Sequence, residues 1–217
     1  AAVTLNGTGN LTLTTADETI GSLAGAGTGT VTNGGFTLTA GGNNTSTAFA
    51  GVASGTGGLT KAGSGILTLS GTNAYTGATT IAAGTLDVTG SVASTSVVID
   101  NGGTLKVDGL SLADASVVAN AGTLVVTGSE TIGSLTGAGG VTIATSKILT
   151  VGDSTDTTFS GAISGDGGVT KAGSGKLTLS GTNNSYAGAT TINAGTLEVT
   201  LSGTNSYAGT TTINAGT

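Results

Sequence analysis

The sequence predicts an all-β protein, a single-stranded right-handed parallel β-helix of about nine to ten coils. Three features predict it: leucines that follow a glycine recur at a regular interval, β-branched runs recur between them, and corners rich in Gly and Asn separate the two. Each unit reads as a short alternating strand, a turn, a β-branched strand and a corner. Since no unit can bury its apolar side alone, the units must stack to form a core. The right-handed sense follows from the preferred crossover between parallel strands.

Leucines placed shortly after a glycine, in the pattern Gly-x-Leu, define one predicted core column. Four of them are evenly spaced along the chain: Leu67, Leu86, Leu105 and Leu124. The pattern returns later in the chain, and more loosely elsewhere: Leu177 and Leu197, with weaker matches at Leu11, Leu38 and Leu149. Stacked at the spacing of adjacent strands, about 4.8 Å, these leucines would form a continuous row.

β-branched triplets define a second predicted core column. The inward positions in these triplets are Ile81, Ile99, Val118, Ile192 and Ile213. Corners such as "DNGG" and "NAG" follow them, and Gly and Asn accept the positive φ angles that tight corners need.

The chain also carries a larger repeat. The segment "ETIGSLAGAG" at 18–27 returns as "ETIGSLTGAG" at 130–139, and Lys61 returns as Lys171. We interpret residues 1–217 as one continuous β-helix of duplicated halves, approximately 1–112 and 113–217. Because the first and last units both resemble the middle of an array, we expect a segment of a longer array.

Composition excludes several functions. The chain has no His and no Cys, so it cannot build a Ser-His-Asp or Cys-His site, a common zinc site or a disulfide. We therefore predict no enzyme, no catalytic residues, no metal and no cofactor. Asp153 and Asp156 could share a loop, for which we favour a solvated turn over a calcium site. Five lysines and a net charge of −6 argue against nucleic-acid binding.

Asn and Tyr recur in the turns between the predicted strands. The asparagines lie in "GTN" turns, and a tyrosine follows each of them: Asn73, Asn183 and Asn205; Tyr75, Tyr186 and Tyr207. In stacked coils their side chains can form a hydrogen-bonded ladder, and an exposed row of Asn, Thr and Tyr would also be an adhesive polar surface. Lys61 and Lys171 open equivalent "KAGSG" turns, where we expect solvated, solubilising side chains.

Two long segments resemble a known family. "GTGGLTKAGSGILTLSGTNAYTGATTIAAGTLDV" at 55–88 and "GDGGVTKAGSGKLTLSGTNNSYAGATTINAGTLEV" at 165–199 are similar to the passenger-associated transport repeat of bacterial autotransporters, and "LSGTNSYAGTTTINAGT" at 201–217 is a shortened third copy. The resemblance implies a passenger β-helix at the surface of, or released from, a Gram-negative bacterium. It also implies an outer-membrane translocator barrel on the full-length chain, which these residues do not include.

These observations lead to a structural or adhesive passenger as the first functional hypothesis. It would act as a rigid stalk or associate with itself head-to-tail or laterally, forming filaments or biofilm, and could contact cell-surface or matrix glycans. The alternative is a ligand-binding β-helix for glycans or ice. The step from Leu38 to Leu67 is much longer than the step from Leu67 to Leu86, and such uneven spacing argues against a regular ice-matching array. A carbohydrate-active enzyme would need an acidic cleft, which the sequence does not indicate.

Overall fold

A computed structural model describes residues 1–109, 111–200 and 203–217 and shows a parallel β-solenoid with three strand-bearing sides. The chain visits sides A, B and C in that order in each coil. Every paired strand runs parallel to its neighbour, and the described residues complete about ten coils. The predicted parallel β-helix is confirmed. The expectation of two strands per coil was wrong, because most coils contain three.

The strands are short and are grouped here by side. Side A contains β1 (Ala2–Thr4), β4 (Ser22–Ala24), β7 (Thr47–Phe49), β10 (Ile66–Leu69), β13 (Gly84–Val88), β16 (Gly103–Asp108), β18 (Thr123–Gly128), β21 (Gly140–Ile143) and β24 (Ile163–Gly165). Side B contains β2 (Asn10–Thr12), β5 (Thr30–Thr32), β8 (Val52–Ser54), β11 (Thr72–Asn73), β14 (Ser91–Val92), β19 (Glu130–Ile132), β22 (Ile148–Val151), β25 (Gly168–Lys171), β27 (Thr190–Ile192) and β29 (Thr211–Ile213). Side C contains β3 (Glu18–Ile20), β6 (Leu38–Ala40), β9 (Leu59–Lys61), β12 (Thr79–Ile81), β15 (Ser96–Ile99), β17 (Val117–Asn120), β20 (Ser134–Thr136), β23 (Thr157–Phe159), β26 (Lys176–Leu179) and β28 (Thr196–Val199).

Strand register explains why the sequence period is irregular. The step between paired residues is short from Val118 to Leu135 and longer from Val141 to Ile163. The strands nevertheless stay in register, because the extra residues fall in the corners between them. Single bridges such as Gly25 to Phe49 and Gly137 to Phe159 join strand groups on the same side.

The predicted leucine column is divided between the sides. On side A, Leu67, Leu86, Leu105 and Leu124 stack in register, and the column continues through Val141. The later and looser members of the predicted column lie elsewhere: Leu177, Leu197 and Leu38 on side C, Leu11 and Leu149 on side B. The Gly-x-Leu pattern marks a strand that follows a corner, and such strands occur on every side.

Burial separates the eleven predicted core residues into three groups. Nine are buried: Leu67, Leu86, Leu105, Leu124, Leu177, Ile81, Ile99, Val118 and Ile192. Leu197 is half-buried. Ile213 does not lie in the core, because its side chain is 58% exposed; among the described residues its strand β29 pairs with β27 alone.

Glycine is required where successive corners stack closely. A Cβ at Gly71 would lie 2.0 Å from the Gly51 carbonyl oxygen, and one at Gly181 would lie 2.0 Å from the Gly161 carbonyl oxygen. Both glycines precede the "TN" of the repeated phrase. The corner can follow the close strand spacing only because no side chain stands between the coils.

The large repeat does not correspond to a whole number of coils. Strand β3 lies on side C of the first coil, whereas its sequence equivalent β19 lies on side B of the seventh. Likewise β10 on side A corresponds to β26 on side C. The repeated sequences are therefore displaced by five and two-thirds coils, and each strand of the second copy lies on a different side from its equivalent in the first.

Candidate interaction surface

Two straight rows of outward threonines run along the solenoid axis. On side C, Thr19, Thr39, Thr60 and Thr80 pair in register from coil to coil. On side B the row is longer: Thr131, Thr150, Thr170, Thr191 and Thr212. All nine are half-buried or exposed. Each row therefore presents hydroxyl groups at the strand spacing of about 4.8 Å.

The two rows are equivalent parts of the large repeat. Thr60 follows Leu59 in β9, and Thr170 follows Val169 in the equivalent strand β25. Because of the displacement between the two copies, strands on side C in the first copy have their equivalents on side B in the second. The step along the sequence differs from coil to coil within each row, yet the rows are unbroken because every step is a paired register position. The irregular spacing that argued against a regular array was thus a misleading signal.

The predicted Asn/Tyr row is not an exposed adhesive surface. Asn73, Tyr75 and Tyr186 are at most 1% exposed, so their side chains lie inside the solenoid. Asn183 is exposed, whereas Asn205 and Tyr207 are half-buried.

A buried asparagine ladder exists, with Asn184 in place of the predicted Asn183. The Asn73 Oδ1 accepts a hydrogen bond from the Ala53 amide at 3.0 Å. In the second copy, the Asn184 Oδ1 accepts from the Ile163 amide at 2.9 Å, and the Asn205 Oδ1 accepts from the Asn184 amide at 2.9 Å. These side chains replace backbone carbonyls where a coil has little or no regular strand, which satisfies buried amides.

Replacing Asn184 by Ala should destabilise the protein by about 1–3 kcal/mol, because the Ile163 amide would be buried without a partner. The matched change is Asn183→Ala one residue away, where the exposed side chain only accepts from the Thr204 hydroxyl. That variant should stay within about 0.5 kcal/mol of the parent. Urea unfolding followed by circular dichroism measures both. Equal losses for the two variants would contradict the ladder.

The tyrosines pack inside the coils beside this ladder. Tyr75 and Thr79 share a hydrogen bond between their hydroxyls at 2.8 Å, and Tyr186 and Thr190 do the same at 2.7 Å. The Tyr186 and Tyr207 rings meet edge to face with centroids 5.1 Å apart. Burial raises the pKa of Tyr207 to about 12. Tyr75 and Tyr186 are consequently core residues, and Tyr207 packs against the core.

Lys61 and Lys171 are buried and do not form solvated turns. Each is 1% exposed. The Lys61 ammonium donates to the carbonyl oxygens of Ala62 at 2.7 Å, Gly63 at 2.8 Å and Ala83 at 3.1 Å. The Lys171 ammonium donates in the same way to Ala172, Gly173 and Ala194. The "KAGSG" turn thus curls its carbonyls around its own lysine.

The two lysine cradles differ in their electrostatic surroundings. Burial lowers the pKa of Lys61, and no opposing carboxylate effect accompanies it. Burial also lowers the pKa of Lys171, but there the negative charges of Asp153 and Asp156 oppose the shift. Those two aspartates also accept backbone hydrogen bonds: Asp153 accepts from the Thr155 amide within its own turn, and Asp156 accepts from the Lys176 amide of the next coil.

Glu130 is a buried acid that sequence analysis missed. Its side chain is 2% exposed, and its carboxylate accepts hydrogen bonds from the backbone amides of Ser111 at 2.8 Å and Leu112 at 3.4 Å. Burial raises the pKa of this carboxyl group, and the negative charge of Asp114 raises it further. The backbone hydrogen bonds lower the pKa, but the net shift is upward. Its equivalent in the repeat, Glu18, is exposed.

The raised pKa of Glu130 makes its contribution to stability depend on pH with an unusual sign. The folded protein binds this proton more tightly than the unfolded chain, so the contribution is complete below the ordinary pKa of 4.5 and is lost as the pH rises through the raised value. Relative to Glu130→Gln, the parent protein should therefore gain unfolding free energy when the pH falls from 7 to 4.5. Thermal melts of both proteins across this range measure the difference, and a relative loss on acidification would contradict it.

A hollow of about 190 Å³ lies beside the side B threonine row, at the corner between sides A and B. Gly167, Gly168 and Gly188 line it together with Ile148, which is 44% exposed. Thr170 and Thr191 of the row also line it, and Lys147 and Asp166 supply opposite charges. In the first copy the residues equivalent to Lys147 and Asp166 are Phe36 and Thr56.

The described ranges contain no recognisable metal site. No group of three or more His, Cys, Asp or Glu side chains in them could hold a metal ion. Among the same residues, no helix is long and apolar enough to cross a membrane.

Comparison with known proteins identifies the repeats. The passenger-associated-transport-repeat family matches residues 59–88, 169–199 and 198–217. The chain is also 46% identical over 196 residues to an adhesin, the BmaC autotransporter of Brucella suis biovar 1 (strain 1330). That match covers 90% of this chain and 5% of the relative's length. No solved structure matches.

Proposed function

Since the chain belongs to the autotransporter passenger domains that carry passenger-associated transport repeats, we propose that it is a segment of a non-catalytic adhesive shaft displayed outside a Gram-negative bacterium. The similarity to an adhesin over nearly the whole chain is the observation that carries this proposal. The chain spans about 5% of that relative's length. The proposal therefore concerns adhesion through the surface of this segment, and not the activity of a full-length protein.

The threonine rows are the surfaces that we assign to adhesion. Thr combines a hydroxyl that donates and accepts with a methyl group, and a row of such groups can make many weak contacts to a partner. Of the six Asn and Tyr side chains that sequence analysis assigned to this role, three are buried and two are half-buried, which leaves the rows on sides B and C as the long ordered polar features.

Adhesion of bacteria displaying the full-length protein to a host-cell monolayer tests this assignment. One triple variant replaces Thr39, Thr60 and Thr80 by Ala, and a second replaces Thr150, Thr170 and Thr191. A control triple replaces Thr68, Thr85 and Thr142 on side A. At equal surface display, combining the two row variants should reduce adhesion, and the control should not. Unchanged adhesion in the combined variant would overturn the assignment.

Self-association belongs to the same proposal. Two solenoids have the same strand spacing, so a row on one can stay in register with a row on another over many coils. Negative-stain electron microscopy of the purified chain across a concentration series tests this. Rods that pair laterally or lengthen would support self-association, and single rods of constant size would count against it.

The hollow favours a second candidate function, binding of a neutral glycan. Ile148 offers an apolar surface for a sugar ring, and Thr170 and Thr191 offer hydroxyls beside it. A volume of 190 Å³ is below the range of about 300–1,000 Å³ for drug-sized ligands, which suits a single ring of a longer chain. The net charge of −6 disfavours polyanionic glycans.

Titration with cellohexaose, followed by NMR or calorimetry, tests glycan binding. Ile148→Lys should abolish binding because it fills the hollow with a charged chain. The matched control is Ile66→Lys, since Ile66 is 43% exposed on side A, away from the hollow. If neither variant changes the binding of cellohexaose, or the parent protein does not bind it, this second candidate fails.

A further inference from the structure

The strand ladder of side B is interrupted in the sixth coil. Between β16 and β17 this coil contributes only a single bridge, from Val92 to Leu112, among the described residues. On side A of the same coil the register shifts by one residue, because Val107 pairs with Val126 and Asp108 pairs with Gly128. Two independent irregularities therefore coincide in one coil, which lies where the two repeated sequences adjoin.

Buried side chains replace the missing strand bonds at this place. Ser111 is fully buried, and its hydroxyl donates to the Val88 carbonyl of the coil below at 3.1 Å and accepts from the Asp108 amide at 3.0 Å. Its backbone amide, together with that of Leu112, donates to the Glu130 carboxylate of the coil above. Ser111 and Glu130 thus connect three successive coils.

We propose that Glu130 is a latch that closes a seam on side B of the sixth coil, and that the solenoid opens locally at this seam. On side B, β11 and β14 pair over two residues below the seam, and β22 and β25 pair over four above it. At the seam, two hydrogen bonds to one carboxylate replace such a ladder. Regions with fewer backbone pairs open at lower free energy than the global transition.

The surroundings of the latch make it sensitive to its own charge. Asp114 is the charged group that acts on Glu130 from the sixth coil, and it has the same sign. From the coil above, the paired strand β22 contributes Ile148, Leu149, Thr150 and Val151, none of which is ionisable. No cation balances the carboxylate among these neighbours, so it depends on the two amides of the sixth coil.

Hydrogen exchange of the intact chain tests the latch. Glu130→Ala should accelerate exchange of the Ser111 and Leu112 amides roughly tenfold to a hundredfold, the effect of losing one or two charge-assisted hydrogen bonds. Exchange in β10 and β27, which lie outside the seam, should be unchanged. The matched variant is Glu18→Ala, the exposed equivalent in the first copy, and it should leave exchange near the sixth coil unaltered.

Two outcomes would overturn the proposal. Acceleration of exchange spread evenly over all coils would identify Glu130 as an ordinary contributor to global stability. Unchanged exchange at Ser111 and Leu112 would show that the Glu130 carboxylate does not stabilise the seam. If Glu130→Ala fails to fold, Glu130→Gln replaces it, because its single amide oxygen can accept from only part of the seam. Exchange faster than in the parent at the seam alone supports the latch, and exchange equal to the parent overturns it.

Discussion

Replacing Leu105 by Asp should unfold the solenoid. Leu105 is fully buried at the centre of the side A column, between Leu86 and Leu124. Truncating a buried Leu to Ala costs about 2–5 kcal/mol, and a carboxylate buried there without a partner costs more. Since natural domains are stable by about 5–15 kcal/mol in total, we expect the variant to lose its β-sheet circular dichroism signal at room temperature.

Two further Asp variants test whether the loss of stability comes from burying the carboxylate. Thr104→Asp places the same group one residue earlier on the outer side of β16, and it should leave the melting temperature nearly unchanged. Leu197→Asp should be milder than Leu105→Asp, because Leu197 is only half-buried. A Leu105→Asp protein that melts like the parent would refute the stacked core.

Replacing Lys61 by Glu should destabilise the protein by about 3–5 kcal/mol, the cost of leaving a buried charge without a partner. The new carboxylate would face the carbonyl oxygens of Ala62, Gly63 and Ala83, which now accept hydrogen bonds from the ammonium. Repulsion then replaces three favourable contacts. Chemical denaturation of the parent and the variant at neutral pH measures the loss.

The matched change for this prediction is Lys147→Glu. Lys147 is half-buried at the edge of the hollow, and its charge reversal should cost less than about 1 kcal/mol. The sequence interpretation of "KAGSG" as a solvated turn predicts equally small effects at both positions. The two variants therefore separate the buried cradle from the solvated turn directly.

The fold was predictable because the strongest signals in the sequence are also the strongest determinants of the stack. A glycine that permits a corner, followed by an inward Leu, recurs where a long strand begins, as in Leu86 and Leu105. The third side was missed because its strands are very short in the fourth and fifth coils, where the sequence repeat is clearest. Thr72–Asn73 and Ser91–Val92 contain two residues each and carry little alternation.

The polar core was missed for a different physical reason. In β9 the alternation Leu59, Thr60, Lys61 already points Lys61 inward, and in the following coil Asn73 and Tyr75 continue the inward positions. Composition-based expectations placed these polar residues outside, although a buried polar group is stable when its hydrogen bonds are satisfied. No signal in the sequence locates Glu130, because its burial depends on the missing strand of the coil below.

The displacement of five and two-thirds coils determines the directions in which the two threonine rows face. If it were a whole number of coils, both threonine rows would lie along one edge, and a flat partner could engage them together. As it is, the two rows point to different sides, and equivalent positions are about 27 Å apart along the axis at about 4.8 Å per coil. Under the adhesive role proposed above, a partner that recognises these rows would approach from two directions, and one rod would then cross-link its partners into a network.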